Sequence, residues 1–226
     1  GKGKMSSPRQ VISYLEKFFK NRNFLKKKNI RAIITTGPTR EYIDPVRYIS
    51  NESSGKQGYE IALELSRLGI KTTLVSGPTN INYSKEIKVK KITTGKQMFC
   101  EIKKILPTDI VICTAAVSDF KPIIKNKQKL KKKTNFDKIQ LEKNPDILEY
   151  LGKNNKYKPK ILVGFSAETE NVIENSLEKM REKHCDIIVA NDVSKKETGF
   201  NVDFNEVMII DKNGKIQKVK KNSKKF

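Results

Sequence analysis

From Arg31 onward, short apolar runs alternate with amphipathic stretches. The runs are RAIITT, KTTLVSG, IKVKKI, DIVICTAAV, KILVGFSAE and DIIVAND. Taken as a set they are apolar throughout rather than alternating, the pattern of strands covered on both faces. Between them, apolar positions recur at helical spacing over Gly55–Leu68, Thr94–Leu106, Asp146–Lys153 and Asn171–Lys183. A late stretch, NEVMIIDKNGKIQKVK, places Asn213-Gly214 between two alternating runs, which predicts a β-hairpin. Upstream, Val11, Ile12, Leu15, Phe18 and Phe19 predict a helix, followed by the basic linker KNRNFLKKKN.

Strand and helix in alternation predict an α/β fold: a Rossmann-like, mainly parallel sheet with helices on both faces, finished by the hairpin. Residues 29–226 read as that one domain. Residues 1–28, with no strand of their own, read as the tail of an upstream domain plus a linker. Ligands of open α/β sheets bind beyond the carboxyl ends of the strands. The loops after Thr36, Val75, Val117, Ser166 and Asn191 are therefore expected to converge on one crevice.

Composition narrows the chemistry. With 226 residues and 36% apolar content, one core suffices. No apolar stretch reaches the roughly 18 residues of a membrane span, and no apolar signal core opens the chain, so a cytoplasmic protein is expected. Cys100, Cys113 and Cys185 lie far apart without a C-x-x-C, and His184 is the single histidine. That argues against a zinc site, a disulfide framework and histidine-based hydrolysis. Cys113 and Cys185, in or beside apolar runs, are expected to be buried small hydrophobes. The net charge of +22 invites a nucleic-acid reading, yet Lys supplies 40 of the 47 basic residues and Arg only 7, spread without interleaved aromatics. A basic nucleic-acid-binding module without catalysis stays open as the alternative. Attraction for small anions follows in either case.

The segment TTGPTREYIDPVRYISNESSGKQG, Thr35 to Gly58, sits where a strand hands over to a helix. Ser54 is expected to cap that helix, with Gln57 completing a capping box. Gly55 and Gly58 allow close backbone approach, and a helix N-terminus beside Lys56 favours phosphate. A capped helix with a glycine-rich lead-in is the plain alternative. Against it stands the long loop carrying Arg40, Arg47 and Asn51 at the sheet's carboxyl edge. Gly37, Ser53 and Ser54 complete this candidate phosphate and substrate loop. Neither a P-loop nor a dinucleotide G-x-G-x-x-G is present.

Other motifs fall at the same edge. In CTAAVSDF, small residues at a strand end admit a flat ring or ribose, and Asp119 is placed to accept from ribose hydroxyls, hold a divalent cation or simply cap a helix. Lys125, Lys127, Lys129, Lys131, Lys132 and Lys133 form a dense cluster, either a solvated charge run or a flap that closes on a triphosphate. KNPDIL sets Pro145 and Asp146 at a helix start, VGFSAET ends a strand with Phe165, and Lys179 and Lys183 lie one helical turn apart.

In this order, the blocks TTGPTREYIDPVRYISNESSGKQG, LVSGPT, CTAAVSDF, KLKK, KNPDIL, VGFSAET and DIIVANDVS, over about residues 31–207, resemble the phosphopantothenoylcysteine synthetase domain family of bacterial coenzyme A biosynthesis. The opening GKGKMSSPRQVI resembles the end of the flavin-dependent decarboxylase domain fused upstream in the bifunctional protein, so the chain is expected to be the synthetase half. The resemblance implies a ligase that joins 4′-phosphopantothenate to L-cysteine with CTP and Mg2+ or Mn2+. It would proceed through an acyl-cytidylate and release CMP and pyrophosphate. It implies Asn51 on the activated carboxyl and Lys129 on developing phosphate charge. Cys113, Thr114, Ala115, Asp119, Pro145, Asp146, Ile147, Leu148, Phe165, Lys179 and Lys183 would form the CTP site, with Asp119 also the metal ligand. Arg40 and Arg47 would meet the substrate phosphate or brace the loop. A homodimer or larger homo-oligomer is implied, with neither nucleic acid nor membrane as partner. Two departures stand out: Glu52 replaces the family's usual histidine, and the chain stops at KVKKNSKKF, before the usual closing helix.

Overall fold

Successive residues of β1 (Arg31–Thr36) are buried on opposite faces: Ala32 and Ile34 enter one core and Ile33 the other. Burial on both sides removes the need for alternating polarity, which is why the strand reads as a continuous apolar run. The computed structural model describes residues 29–131, 138–192 and 204–223. The expected helix around Val11–Phe19, the linker, and Lys132 and Lys133 lie outside the described residues.

The eight-stranded sheet runs β12-β11-β10-β9-β6-β1-β4-β5. Its parallel part comprises β1, β4 (Lys71–Ser76), β5 (Lys88–Lys91), β6 (Ile110–Cys113), β9 (Ile161–Glu168) and β10 (Ile187–Asp192). From β1 the chain steps outward to β4 and β5, then returns to β6 and steps the other way. The order therefore reverses between β1 and β6, and their carboxyl ends open a crevice. The expected hairpin, β11 (Phe204–Asp211) and β12 (Ile216–Ser223), adds two antiparallel strands, with Gly214 at φ 79°.

Four described helices follow the amphipathic stretches to within a residue or two. α1 (Lys56–Arg67) covers one face through Ile61, Ala62 and Leu65. α2 (Gly95–Ile105), α3 (Ile147–Lys153) and α4 (Val172–Glu182) cover the other through Met98, Ile102, Leu148, Leu151 and Met180. No helix among the described residues is long and apolar enough to cross a membrane.

Two features were beyond sequence reading. β2 (Glu41–Tyr42) pairs with β3 (Tyr48–Ile49), and β7 (Phe120–Pro122) with β8 (Leu141–Lys143), as two short antiparallel ribbons over the crevice edge. Strands of two or three residues carry too little periodicity to register. The capping box expected at Ser54 and Gln57 does not form. Gly55, at φ 74°, occupies the cap position of α1 without a side-chain cap bond, and the box forms at α2 instead, between Thr94 and Gln97. The loop after Val75 also departs from expectation: it lines neither chamber described below, and Thr79 packs behind Gly37 and Gly55.

At Gly58 the absence of a side chain sets the spacing of α1 from the sheet. A Cβ there would lie 2.5 Å from the Thr36 hydroxyl and closer still to that of Thr114. Gly58→Ala is expected to push α1 off the strand ends and to cost about 1–3 kcal/mol, measurable as a fall in urea midpoint. Burial pushes the Cys185 thiol up to about 12 and the Cys113 thiol higher still, whereas Cys100 is exposed. Because the thiolate is the nucleophile, iodoacetamide at neutral pH is expected to label Cys100 well before the other two in the folded protein, as peptide mass mapping would record.

Candidate active-site crevice

The crevice is built from strand ends that hold one another. The Thr36 hydroxyl donates to the Gly55 carbonyl at 2.7 Å, drawing the start of α1 onto β1. The Thr114 hydroxyl donates to the Thr35 carbonyl at 2.6 Å, and the Ala116 N–H to the Gly37 carbonyl at 3.0 Å, so the segment after β6 is stitched to the end of β1. Asn51 Nδ2 donates to the Val117 carbonyl at 3.1 Å and Asn144 Nδ2 to the Ser118 carbonyl at 2.8 Å. The 115–119 segment is thus fixed from both sides by amide side chains.

Two adjoining chambers result. The first, of about 790 Å3, is lined by Cys113, Ala115, Asp119, Pro145, Asp146, Ile147, Leu148, Phe165, Lys179 and Lys183, among others. The second, of about 670 Å3, lies against the first turn of α1 and is lined by Asn51, Glu52, Ser53, Ser54, Gly55, Thr114 and others. Ala115, Val117, Asp119, Phe165 and Lys179 belong to both and form the shared wall. The first-turn amides of a helix have no acceptor within it, and Gln57 and Gly58 of that turn line the second chamber. The Ser53 and Ser54 hydroxyls accept from the N–H groups of Gly55 and Lys56 at 3.3 and 3.4 Å.

Charge in the first chamber is mixed, not uniformly cationic as the net charge of +22 would suggest. Its charged residues are Asp119, Asp146, Glu149, Glu178 and Glu182 against Lys143, Lys179 and Lys183. Lys183 Nζ bridges Asp146 Oδ2 at 3.1 Å and Glu149 Oε2 at 3.2 Å. Partial burial opposes the Lys183 charge, but these carboxylates outweigh it and raise its pKa. The Glu149 carboxyl is held below its usual range by Lys153 and Lys183. Lys179 Nζ donates to the Phe165 carbonyl at 3.2 Å, which lays its cation along the shared wall. Most of the described lysines lie on the outer surface, because cations scattered along the chain follow solvent, not the crevice.

Three buried acceptors, Gln57 Oε1, Asn144 Oδ1 and Asn191 Oδ1, have no partner among the described residues. Gln57 and Asn191 line the second chamber and Asn144 the first. An unpaired buried carbonyl costs about 1–3 kcal/mol, a penalty that a ligand's N–H or O–H removes. None of the three was expected from sequence as a ligand contact; their signal was a polar residue at the edge of KNPD, SSGKQG and IIVAND.

Gly37, Arg40, Arg47, Lys56 and Lys129 line neither chamber. Arg40 stacks on the Tyr48 ring with its guanidinium 4.7 Å from the centroid, and Arg47 pairs with Asp44 at 2.6 Å. Lys129 is exposed. Among the described residues no cluster of three His, Cys, Asp or Glu side chains is placed to hold a metal. Asp119 is the one carboxylate on the wall between the chambers. That donor set fits a Mg2+-type ion that takes most of its oxygens from a phosphate ligand and from water.

Comparison with known proteins agrees with this architecture. The family described as DNA/pantothenate metabolism flavoprotein C-terminal domain (DFP) matches residues 27–226. The chain is 40% identical over 215 residues to the coenzyme A biosynthesis bifunctional protein CoaBC of Haemophilus influenzae, covering 95% of this chain and 53% of that protein. It therefore spans about half the length of such relatives. The crystal structure of the C-terminal domain of a CoaBC superposes with TM-score 0.69 at 38% identity, over 84% of this chain and 85% of that one. A histidine-to-alanine mutant of Cab2, in complex with phosphopantothenate-cysteine, shares the fold at TM-score 0.67 and 18% identity, over 94% and 86% of the two chains. With the match spanning almost the whole chain in both sequence and fold, the protein belongs to the DNA/pantothenate metabolism flavoprotein C-terminal domain family.

Proposed function

We propose that this domain is a CTP-dependent ligase of coenzyme A biosynthesis that joins 4′-phosphopantothenate to L-cysteine. The observation that carries the reading is the pair of chambers sharing the wall of Ala115, Val117, Asp119, Phe165 and Lys179. Condensation of two large anions needs two compartments open to one another at the reacting atoms, so that binding energy supplies the proximity. The relatives' role in coenzyme A biosynthesis, and the phosphopantothenate-cysteine complex of a protein with this fold, support the choice of substrates.

In this reading the first chamber takes cytidine, with Phe165 as the stacking face and the Ala115 segment against the ribose. The second takes phosphopantothenate, its carboxylate at the shared wall near Asn51. A carboxylate oxygen attacks the α-phosphorus of CTP and pyrophosphate leaves, giving the acyl-cytidylate. The cysteine amine then attacks the acyl carbon, CMP leaves, and the amine loses a proton. Asn51, oriented by its bond to the Val117 carbonyl, holds the acyl group. Lys179 at the wall, and Lys129 from the flap, stabilise phosphate charge as it develops. A divalent cation carried by the triphosphate, with Asp119 as its protein ligand, would screen charge between the two anions.

Oligomerisation belongs to the same proposal. Exposed apolar side chains gather on the ribbons and the segment after β7: Val46, Tyr48, Phe120, Ile123, Ile124 and Leu141, with Ile124 67% exposed. Such a patch beside a crevice fits the interface of a homodimer.

Pyrophosphate release, assayed with CTP, 4′-phosphopantothenate, cysteine and Mg2+ together, is the direct test; no release with every component present would sink the ligase reading. Lys129→Ala and Asn51→Asp are each expected to lower kcat by about 10²–10³-fold with the fold intact by circular dichroism. Ile124→Lys is expected to shift the protein from dimer to monomer in light scattering after size exclusion.

A further inference from the structure

The two residues assigned to catalysis, Asn51 and Lys129, come from separate parts of the chain, and a single buried carboxylate joins those parts. Asp44 is fully buried at the turn between β2 and β3. Its Oδ1 accepts from the backbone N–H groups of Val46 and Arg47, both at 2.8 Å. Its Oδ2 accepts from Arg47 Nε at 2.9 Å, Arg47 Nη2 at 2.6 Å and the Leu130 N–H at 3.2 Å. Arg47 Nη2 also donates to the Leu130 carbonyl at 2.8 Å. Both backbone groups of Leu130 are therefore gripped, one by each member of the ion pair. The Asn126 N–H donates to the Ile43 carbonyl at 2.9 Å, and Lys125 lies over the Tyr42 ring, so the 125–130 segment runs along the same turn. Burial alone would raise the Asp44 carboxyl, but these donors outweigh it and hold it well below the usual carboxylate range.

We infer that Asp44 is a positioning residue: with Arg47 it clamps Leu130 and so fixes the direction of the adjacent Lys129 relative to the loop that carries Asn51. The inference rests on the ligase reading for its kinetic consequence only; the clamp itself is a property of the fold. The two carboxylate oxygens of Asp44 gather all five donors at one buried point, and the guanidinium grips Asp44 through Nε and Nη2 while the second N–H of Nη2 reaches the Leu130 carbonyl. Arg47, which the sequence offered for a substrate phosphate or for bracing, is in this position a brace.

Two variants test the clamp. Asp44→Asn keeps the shape but turns one acceptor into a donor facing the Leu130 N–H; Arg47→Lys keeps the charge but loses the fork. Limited trypsin digestion with mass spectrometry is expected to cut after Lys129 and Lys131 at least five-fold faster in Asp44→Asn than in wild type, and less so in Arg47→Lys. If Asp44→Asn fails to fold by circular dichroism, Arg47→Lys carries this arm. Unchanged cleavage in a folded variant overturns the clamp. In the pyrophosphate assay, Asp44→Asn is expected to lower kcat at least ten-fold, and adding Lys129→Ala is expected to cost much less than it does in wild type, because both remove the same contribution. Fully additive losses overturn the positioning role even where cleavage accelerates. Absence of pyrophosphate release in wild type would overturn the ligase reading and the kinetic role with it, and the cleavage rates would then decide the clamp alone.

Discussion

The 2.7 Å bond from the Thr36 hydroxyl to the Gly55 carbonyl closes the distance between the end of β1 and the start of α1. A side chain at Gly58 would crowd both Thr36 and Thr114 at this contact. With the helix tip brought down to the strand ends, its first-turn amides face the point where the strand order reverses. The parallel order places the crevice, but this contact gives it a floor.

Around that floor the polar groups divide by task. Asn51 and Asn144 spend their amide donors on carbonyls of the 115–119 segment and so hold the shared wall in place. Gln57, Asn144 and Asn191 leave buried carbonyl oxygens unmatched inside the chambers. Such unmatched groups are completed by a ligand or an ordered water, which sets these three apart from the satisfied polar groups of the core. Salt bridges make a similar division. Lys183 is already neutralised by Asp146 and Glu149, while Lys179, whose ammonium donates to the Phe165 backbone carbonyl, keeps its charge at the wall.

Much of the fold was legible in the chain because parallel strands are buried on both faces, and that double burial is what writes a continuous apolar run such as DIVIC. The residues CTAAV, NPDIL and the Lys179–Lys183 pair read as one site because strand ends in this topology must meet. The short ribbons were illegible, since their stability lies in pairing with each other rather than in any local pattern. The loop after Val75 misled for a related reason: the sheet brings it to the right edge, but Thr79 packs against Gly37 and Gly55 and the loop lines neither chamber.

By itself, then, the sequence determined the strand succession, the helical faces, the hairpin turn at Asn213-Gly214 and the family, since each is written in local periodicity or in ordered motifs. Tertiary structure alone decided which charges face the crevice, which glycine caps α1, and that Asp44 and Arg47 grip Leu130. These depend on distances between residues far apart in the chain, and a one-dimensional pattern holds no record of which buried donor will find which acceptor.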